Sequence, residues 1–179
     1  MCAPHILEDT RQKVGKHERK RLWFEAHGIR VERRALLTGD YERADGTSNV
    51  LVDTKRSISE VAMDVGRDHK RFVKELDRAR DAGYRLVILI EVGAPYKGLP
   101  DVVGWVNDAC KRCEHRRNGR CDPTQPTHCA KFRRKPMSGA TLARTMKTLE
   151  LEHGCRFEFV HPRKSAQRIC ELLGLEVMQ

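Results

Sequence analysis

One short segment of the chain combines acidic and basic residues in a pattern that suits phosphate chemistry. Asp53, Thr54 and Lys55 end an apolar run that begins at Val50, and Asp40 lies shortly before that run. Alternate side chains of a strand share a face, so Asp53 and Lys55 are predicted to point to one side, and Asp40 reaches it if its segment pairs antiparallel. Carboxylates bind Mg²⁺ or Mn²⁺, which activate water, and a lysine neutralises phosphate charge. The pattern predicts a catalytic set of Asp40, Asp53 and Lys55, and the alternative is an ion pair on a solvated strand.

A second candidate site is a cluster of cysteines. Four of the seven cysteines lie within twenty residues, at Cys110, Cys113, Cys121 and Cys129. The first two have C-x₂-C spacing, and four thiolates are the ligand set that tetrahedral Zn²⁺ takes. We therefore predict a structural zinc ion on these four thiolates, with His115 or His128 as a replacement for one of them. The alternative is a set of free thiols on a mobile basic loop.

The cysteines lie in the most basic part of the chain. Residues 110–135 hold nine Lys or Arg against two acids, which is +7 of the net charge of +10. This excess favours a polyanionic partner, and DNA is the predicted one. No aromatic residue lies between Trp105 and Phe132, so the segment is expected to contact phosphates rather than to stack on bases. Its predicted DNA contacts are Lys111, Arg112, Arg116, Arg117 and Arg120.

The pattern of apolar residues predicts the elements that position these groups. Predicted strands cover 5–9, 29–37, 50–55, 84–92 and 156–160. Predicted helices cover 12–27, 57–79 with a break at Gly66, 102–109, 142–149 and 166–173. In the first helix the expected buried face consists of Val14, Leu22, Trp23 and Ala26. The segments 29–37 and 50–55 are expected to form a hairpin with a longer loop.

This order predicts an α/β fold with a mixed central sheet flanked by helices. The length of 179 residues suits a single domain over 1–179, with residues 110–135 as an inserted basic zinc-binding lobe. No apolar run approaches the roughly 18 residues of a membrane span, and the first residues do not resemble a signal peptide. The chain is therefore expected to be cytoplasmic and without membrane contact.

Three motifs occur in series along the chain, and together they carry a family resemblance. They are Asp9-Thr10-Arg11-Gln12, then Gly39-Asp40, then Asp53-Thr54-Lys55. The series resembles the nuclease domain of the XPF family of structure-specific endonucleases, whose pattern is D-x-R-E, G-D, and E-R-K with a further acid. The resemblance is best over residues 5–92 and extends more weakly over 137–175. It is closer to the small standalone, phage-type members, and it implies a restriction-endonuclease-like fold.

The resemblance implies roles for individual residues. Asp9 would join Asp40 and Asp53 as a ligand of Mg²⁺ or Mn²⁺, and Arg11 and Arg67 would contact DNA. Branched DNA would be the substrate, and a homodimer is compatible with the family.

The sequence also departs from the family pattern in four places. Gln12 replaces the glutamate of the first motif, and Thr54 replaces the arginine of the third. Asp53 is one methylene shorter than the family glutamate, and Glu60 lies one position later than the expected acid. These departures leave two alternatives to an endonuclease: a catalytically inactive DNA-binding protein of the same fold, and a zinc-stabilised interaction module. The second alternative leaves the Asp40 set unexplained.

Overall fold

A mixed β-sheet organises the protein. The computed structural model describes residues 4–12, 15, 17–122, 129, 131 and 135–176. Within those residues the sheet has six strands in the order β2-β1-β3-β4-β5-β6. The strands are β1 (His5–Asp9), β2 (Arg30–Arg34), β3 (Tyr41–Arg43), β4 (Val50–Lys55), β5 (Arg85–Glu91) and β6 (Arg156–Val160). The predicted α/β fold with a mixed central sheet is confirmed.

Strand pairing differs from the expected hairpin. The predicted hairpin between residues 29–37 and 50–55 is wrong, because β2 (30–34) pairs in parallel with β1 instead. The antiparallel partner of β4 is the three-residue strand β3, and β3 also pairs antiparallel with β1. A strand this short carries too few residues for a period-2 pattern to reveal it. Strands β4, β5 and β6 are parallel.

Helices cover both faces of the sheet. In the described part of the chain they are α1 (Glu18–Ala26), α2 (Ile58–Val65), α3 (His69–Asp81), α4 (Leu99–Val102), α5 (Asp108–Lys111), α6 (Glu114–Arg117), α7 (Gly139–His153) and α8 (Ser165–Leu172), with a 3₁₀ turn at Pro162–Lys164. One core lies between the sheet and α2, α3 and α7, and the other lies between the sheet and α1 and α8. Strand β5 is buried on both faces, with Ile88 and Ile90 in the first core and Leu89 in the second, as its continuous apolar run predicts.

Two predicted helices are wrong in detail. Helix α1 buries Lys20 and Phe24, while Leu22 and Ala26 are exposed. The apolar pattern missed this face because Lys20 is buried by an ion pair on the sheet. The helix expected over 102–109 is instead two short helices, α4 and α5, separated by residues 103–107.

The predicted zinc lobe is described only in part. Of residues 110–135 the structure describes 110–122, 129, 131 and 135. His128 and Phe132 lie outside the described residues, as does Val14 of the first predicted helix. Whether 110–135 is an insertion therefore stays a prediction. None of the helices formed by the described residues is long and apolar enough to cross a membrane.

Candidate active site

The backbone brings three aspartates side by side. Asp40 lies just before β3, between β1 and β4, and its N–H donates to the carbonyl of Val52 (2.7 Å). Its own carbonyl accepts a hydrogen bond from the N–H of Asp9 (2.9 Å). Asp53 directly follows Val52 on β4, so Asp9, Asp40 and Asp53 are neighbours on three adjacent strand segments near the carboxyl ends of β1 and β4.

A glycine with a positive φ makes this approach possible. Gly39 has a φ of 77°, and a Cβ there would lie 3.1 Å from the carbonyl oxygen of Val52 and 3.2 Å from a methyl group of Leu86. Only glycine adopts this conformation in this space without strain. The Gly39-Asp40 pair therefore sets the position of the central aspartate.

The predicted pairing of Asp53 with Lys55 is present. Lys55 Nζ lies 2.9 Å from Asp53 Oδ2, so the two side chains share one face of β4. The same ammonium lies 2.9 Å from Asp64 Oδ2 and 6.0 Å from the ring centroid of Phe72. All three charged side chains are largely buried, with exposed fractions of 12% for Lys55, 15% for Asp53 and 8% for Asp64. Lys55 is therefore held between two carboxylates.

Asp64 is the residue that the sequence reasoning missed. It lies on α2 and accepts a hydrogen bond from Arg71 Nη2 (2.9 Å) in addition to its contact with Lys55. The expected acid of this region, Glu60, instead accepts a hydrogen bond from the N–H of Arg56 at the start of α2 (2.8 Å). A signal was present in the sequence, since Asp64 follows the buried Val61 by three positions and so shares its helix face.

Two of the four departures from the family pattern, Gln12 and Thr54, contact the carboxylate of Asp40. Thr54 donates to Asp40 Oδ2 from its N–H (2.9 Å) and from its hydroxyl. The Gln12 amide donates to Asp40 Oδ1, and its own oxygen lies 2.6 Å from Nε2 of His17. The two substituted residues therefore hold the orientation of the central carboxylate with neutral donors.

Asp9 is engaged away from the other two aspartates. Its Oδ1 accepts a hydrogen bond from the N–H of Leu36 (3.2 Å), and its Oδ2 is paired with the guanidinium of Arg11. Arg11 also donates to the carbonyl of Leu36 (3.1 Å). The two predicted functional residues thus tie the end of β1 to the chain after β2, while the side chain of Arg11 stays 60% exposed.

A second buried cation approaches Asp40 from the opposite face of the sheet. Lys20 of α1 lies 2.5 Å from Glu91 Oε1 at the end of β5, and both side chains are about nine-tenths buried. The hydroxyl of Ser165 donates to the same oxygen of Glu91. Lys20 lies within electrostatic range of Asp40, as Lys55 does. Two lysines on opposite faces therefore surround the central carboxylate with positive charge.

Burial dominates the acid–base behaviour of the site. It raises the pKa of Asp40, against the hydrogen bonds from Thr54 and the charges of Lys55 and Lys20. It also raises the pKa of Asp53 to about 7, with Lys55 opposing the shift and the charges of Asp40 and Asp64 adding to it. For Lys55, burial lowers the pKa, but Asp53 and Asp64 outweigh burial and raise it above its ordinary value. Lys55 is therefore charged at neutral pH.

The Asp53→Asn variant is expected to be more stable than the unsubstituted chain at pH 8 but not at pH 4. The pKa of Asp53 is about 7 in the folded chain and 3.8 ordinarily, so ionisation of Asp53 destabilises the folded state progressively as the pH rises from about 4 to about 7. Asparagine avoids this cost. Thermal melting in the presence of a chelator should show a gain of a few degrees at pH 8, since about 1 kcal/mol shifts the Tm of a chain of this size by about 2–4 °C.

Asp81→Asn is the matched control for this measurement. The side chain of Asp81 is 69% exposed, so its substitution should change the melting temperature equally little at both pH values. An equal gain for Asp53→Asn at pH 4 and pH 8 would show that burial of the ionised carboxylate is not destabilising.

The cysteine cluster is the buried part of its segment. Among the described residues of 110–135, the buried side chains are Cys110, Cys113 and Cys129, and Cys121 is half-buried. All four thiols are free. Burial raises the pKa of Cys110, and the neighbouring thiols of the other three cysteines raise it further. The four cysteines are thus within electrostatic range of one another around Cys110.

Metal geometry is not complete at either cluster. In the part of the chain that the structure describes, no group of three or more His, Cys, Asp or Glu side chains meets the geometry of a metal site. The magnesium and zinc sites both stay predictions.

The predicted DNA-contacting residues lie on the surface. The side chain of Arg67 is 75% exposed and pairs with Asp68, and that of Lys111 is 51% exposed and pairs with Asp108. Four arginines of the cysteine segment are exposed or half-buried: Arg112, Arg116, Arg117 and Arg120. Their contact with DNA stays a prediction.

Comparison with known proteins identifies the fold. No protein-family model and no curated protein sequence matches the chain. Among solved structures it is similar to XPF from Aeropyrum pernix, with a TM-score of 0.54 and 19% identity. The match covers 98% of this chain and 66% of that one. The chain therefore has a fold similar to that of this protein over nearly its whole length.

Proposed function

We propose that this protein is a metal-dependent endonuclease that hydrolyses phosphodiester bonds in branched or otherwise structured DNA. The observation that carries the proposal is the buried set of Asp40, Asp53 and Lys55 at the end of β4, in a fold similar to that of a known nuclease. Buried ionisable groups with shifted pKa values cluster at functional sites.

The carboxylates suit a hard divalent cation. Asp40 and Asp53 would hold Mg²⁺ or Mn²⁺, with Asp9 as the third ligand once its carboxylate turns from Leu36. Oxygen donors are what these ions prefer, and Asp53 has a pKa near 7 because burial and two neighbouring carboxylates destabilise its charge. A cation among these groups would relieve that repulsion. When bound, it would lower the pKa of a water and offset negative charge on the phosphate.

Lys55 is proposed to act as a fixed positive charge. Its raised pKa keeps the ammonium protonated at neutral pH, so it is suited to stabilise charge on the reacting phosphate and not to remove a proton. Contacts with Asp53 and Asp64 on either side fix the position of Nζ. Asp64 is therefore proposed as a positioning residue for Lys55.

The charge of the chain supports DNA as the partner. The net charge is +10, and Arg11, Arg67 and the basic residues of the cysteine segment are the proposed phosphate contacts. The homodimer has no support from the fold or from the comparison, and it stays a prediction that sedimentation velocity would test. Location in the cytoplasm likewise stays a prediction.

We also propose that Cys110, Cys113, Cys121 and Cys129 bind a structural zinc ion. The support is that the buried side chains among the described residues of this segment are cysteines, and those described residues contain no other buried apolar side chain. A small polar segment needs a crosslink such as a bound metal ion to stay folded. In such sites the free energy of metal binding stabilises the folded state. Four protein ligands leave no open position, so the ion would be structural rather than catalytic.

The proposed activity is tested on a panel of DNA substrates. Flaps, forks, four-way junctions and plain duplex of equal length are incubated with the protein in Mg²⁺, in Mn²⁺ or in a chelator. Cleavage is expected in either metal, faster on branched substrates than on duplex, and absent in the chelator. Binding without cleavage of any substrate in either metal would overturn the enzymatic proposal.

A further inference from the structure

A groove lies beside α2, on the side of that helix away from the acidic site. Its volume is ≈ 890 Å³, and its lining includes Met63, Arg67, Trp105, Asn107, Lys135 and Met137. Ser59 of α2 and Gly66, which directly follows the helix, also line the groove, whereas Asp64 of α2 contacts Lys55. One helix, with a diameter of about 10–12 Å, therefore separates the groove from the acidic site.

The groove is bordered by the chain at the two ends of the cysteine segment, at Asn107 and Asp108 and at Lys135 and Pro136. Ser59 of α2 donates a hydrogen bond to Asp108 at the start of α5, two residues before Cys110. Lys135, the last residue of the predicted lobe, lines the groove and donates to the carbonyl of Asp122 (2.9 Å). The groove thus lies at the root of the segment, where the chain enters and leaves it.

The lining combines an apolar floor with positive charge. Met63 is 47% exposed, and Met137 and the buried Trp105 also line the groove. Arg67 and Lys135 add two positive charges to the lining against the one negative charge of Asp108, and Arg67 also pairs with Asp68. Residues 110–122, next to the groove, carry five Lys or Arg against two acids, a net +3.

This combination fits an unpaired nucleic-acid strand. Proteins that bind single strands use a basic groove for the backbone and apolar or aromatic surface for the bases, because every unstacked base offers an apolar face. The base faces of a duplex are stacked on one another, so a duplex would contact the charged residues but not the apolar lining. An uncharged peptide would contact the apolar lining but would form no ion pair with Arg67 or Lys135.

We infer that the α2 groove binds an unpaired DNA strand that continues from the acidic site across α2. The inference rests on the proposed function for the continuity of the strand, but the groove itself can be tested without cleavage. If the groove binds such a strand, Met63 and Arg67 contribute to the preference for substrates that have a single-stranded arm.

The two tryptophans of the chain allow a direct test. Trp23 lies on α1, across the sheet from the groove, and Trp105 lines it. In the Trp23→Phe variant, the fluorescence of Trp105 should change saturably on titration with a single-stranded oligonucleotide in a chelator. With a blunt duplex, the concentration that gives half of the fluorescence change should be at least tenfold higher. The Trp105→Phe variant, which keeps Trp23, should show no such change.

A pair of matched variants tests the groove by affinity. Met63→Glu should weaken binding of the single strand at least tenfold, about 1.4 kcal/mol. Leu151→Glu makes the same change of charge at a side chain of α7 that is 75% exposed, and it should weaken binding less than twofold. Circular dichroism checks that both variants fold.

The possible results separate the two proposals. A response of Trp105 in a protein that cleaves nothing would retain the groove and overturn the nuclease. An active nuclease in which Met63→Glu and Leu151→Glu weaken binding equally would overturn the groove. An equal response of Trp105 to poly-glutamate would assign the groove to an acidic protein and also overturn the inference.

Discussion

Asp40→Asn is expected to lower the rate of Mg²⁺-dependent cleavage by about 10²–10³-fold or more. Removal of one preorganised electrostatic interaction at a reacting group typically has an effect of this size, and here the charge removed is that of the central carboxylate. Asparagine has nearly the same shape, so its amide oxygen can still accept the hydrogen bonds of Thr54, while the bond from the Gln12 amide to Oδ1 is lost. The fold should therefore survive, and binding of branched DNA in a chelator should stay within about twofold. Single-turnover rates and gel shifts measure the two effects separately.

The control for this variant is Asp81→Asn, which removes one acidic charge from an exposed position on α3. Its cleavage rate should match that of the unsubstituted chain. If Asp40→Asn cuts at the same rate as Asp81→Asn, the assigned active site is wrong.

The sequence predicted the strands that carry the site better than their pairing. Residues 50–55 and 85–91 form strands because their apolar patterns are long enough to be distinctive. The alternation rule also placed Asp53 and Lys55 on one face, as their 2.9 Å contact shows. By contrast, β3 has three residues, and its role between β1 and β4 depends on Gly39 and on long-range hydrogen bonds that no local pattern reports.

Buried charges were the part of the site that the sequence did not reveal. Asp64 and Lys20 both lie on the buried faces of their helices, where hydrophobicity alone predicts apolar residues. Each is buried because a partner of opposite charge lies on the sheet, Lys55 for Asp64 and Glu91 for Lys20. A charged residue in phase with an apolar helix face is the signal to search for, since such residues are seldom buried without a partner.

The Cys113→Ser variant is expected to lose a zinc ion that the unsubstituted chain retains. Four thiolates should hold about one zinc per chain in protein purified without chelator, and serine is a poor ligand for zinc. Apparent binding free energies of structural zinc sites are about 10–16 kcal/mol. One of four ligands then accounts for about 2.5–4 kcal/mol, so its removal should weaken binding by about 10²–10³-fold. Elemental analysis and competition with a chromophoric chelator measure the change.

Two of the three remaining cysteines, Cys155 and Cys170, provide an internal control. Burial raises the pKa of Cys155 and of Cys170 to about 12, so both thiols should stay unreactive in the folded chain. Chelation of zinc should expose the four thiols of the cluster and leave these two protected. Cys170→Ser should keep its zinc.

Cys113→Ser should destabilise the cysteine segment and leave the stability of the central sheet unchanged. The cores against β4 and β5 contain none of the four clustered cysteines. The main melting transition of Cys113→Ser should therefore occur at the same temperature as that of the unsubstituted chain. Proteases should cut residues 110–135 faster in the variant. DNA affinity should fall, and the slope of log affinity against log salt should become shallower by about 0.7–0.9 for each phosphate that the segment no longer neutralises. A metal-free chain whose four thiols react freely before any chelation would leave this segment as a basic loop, because nothing else in its described residues forms a core.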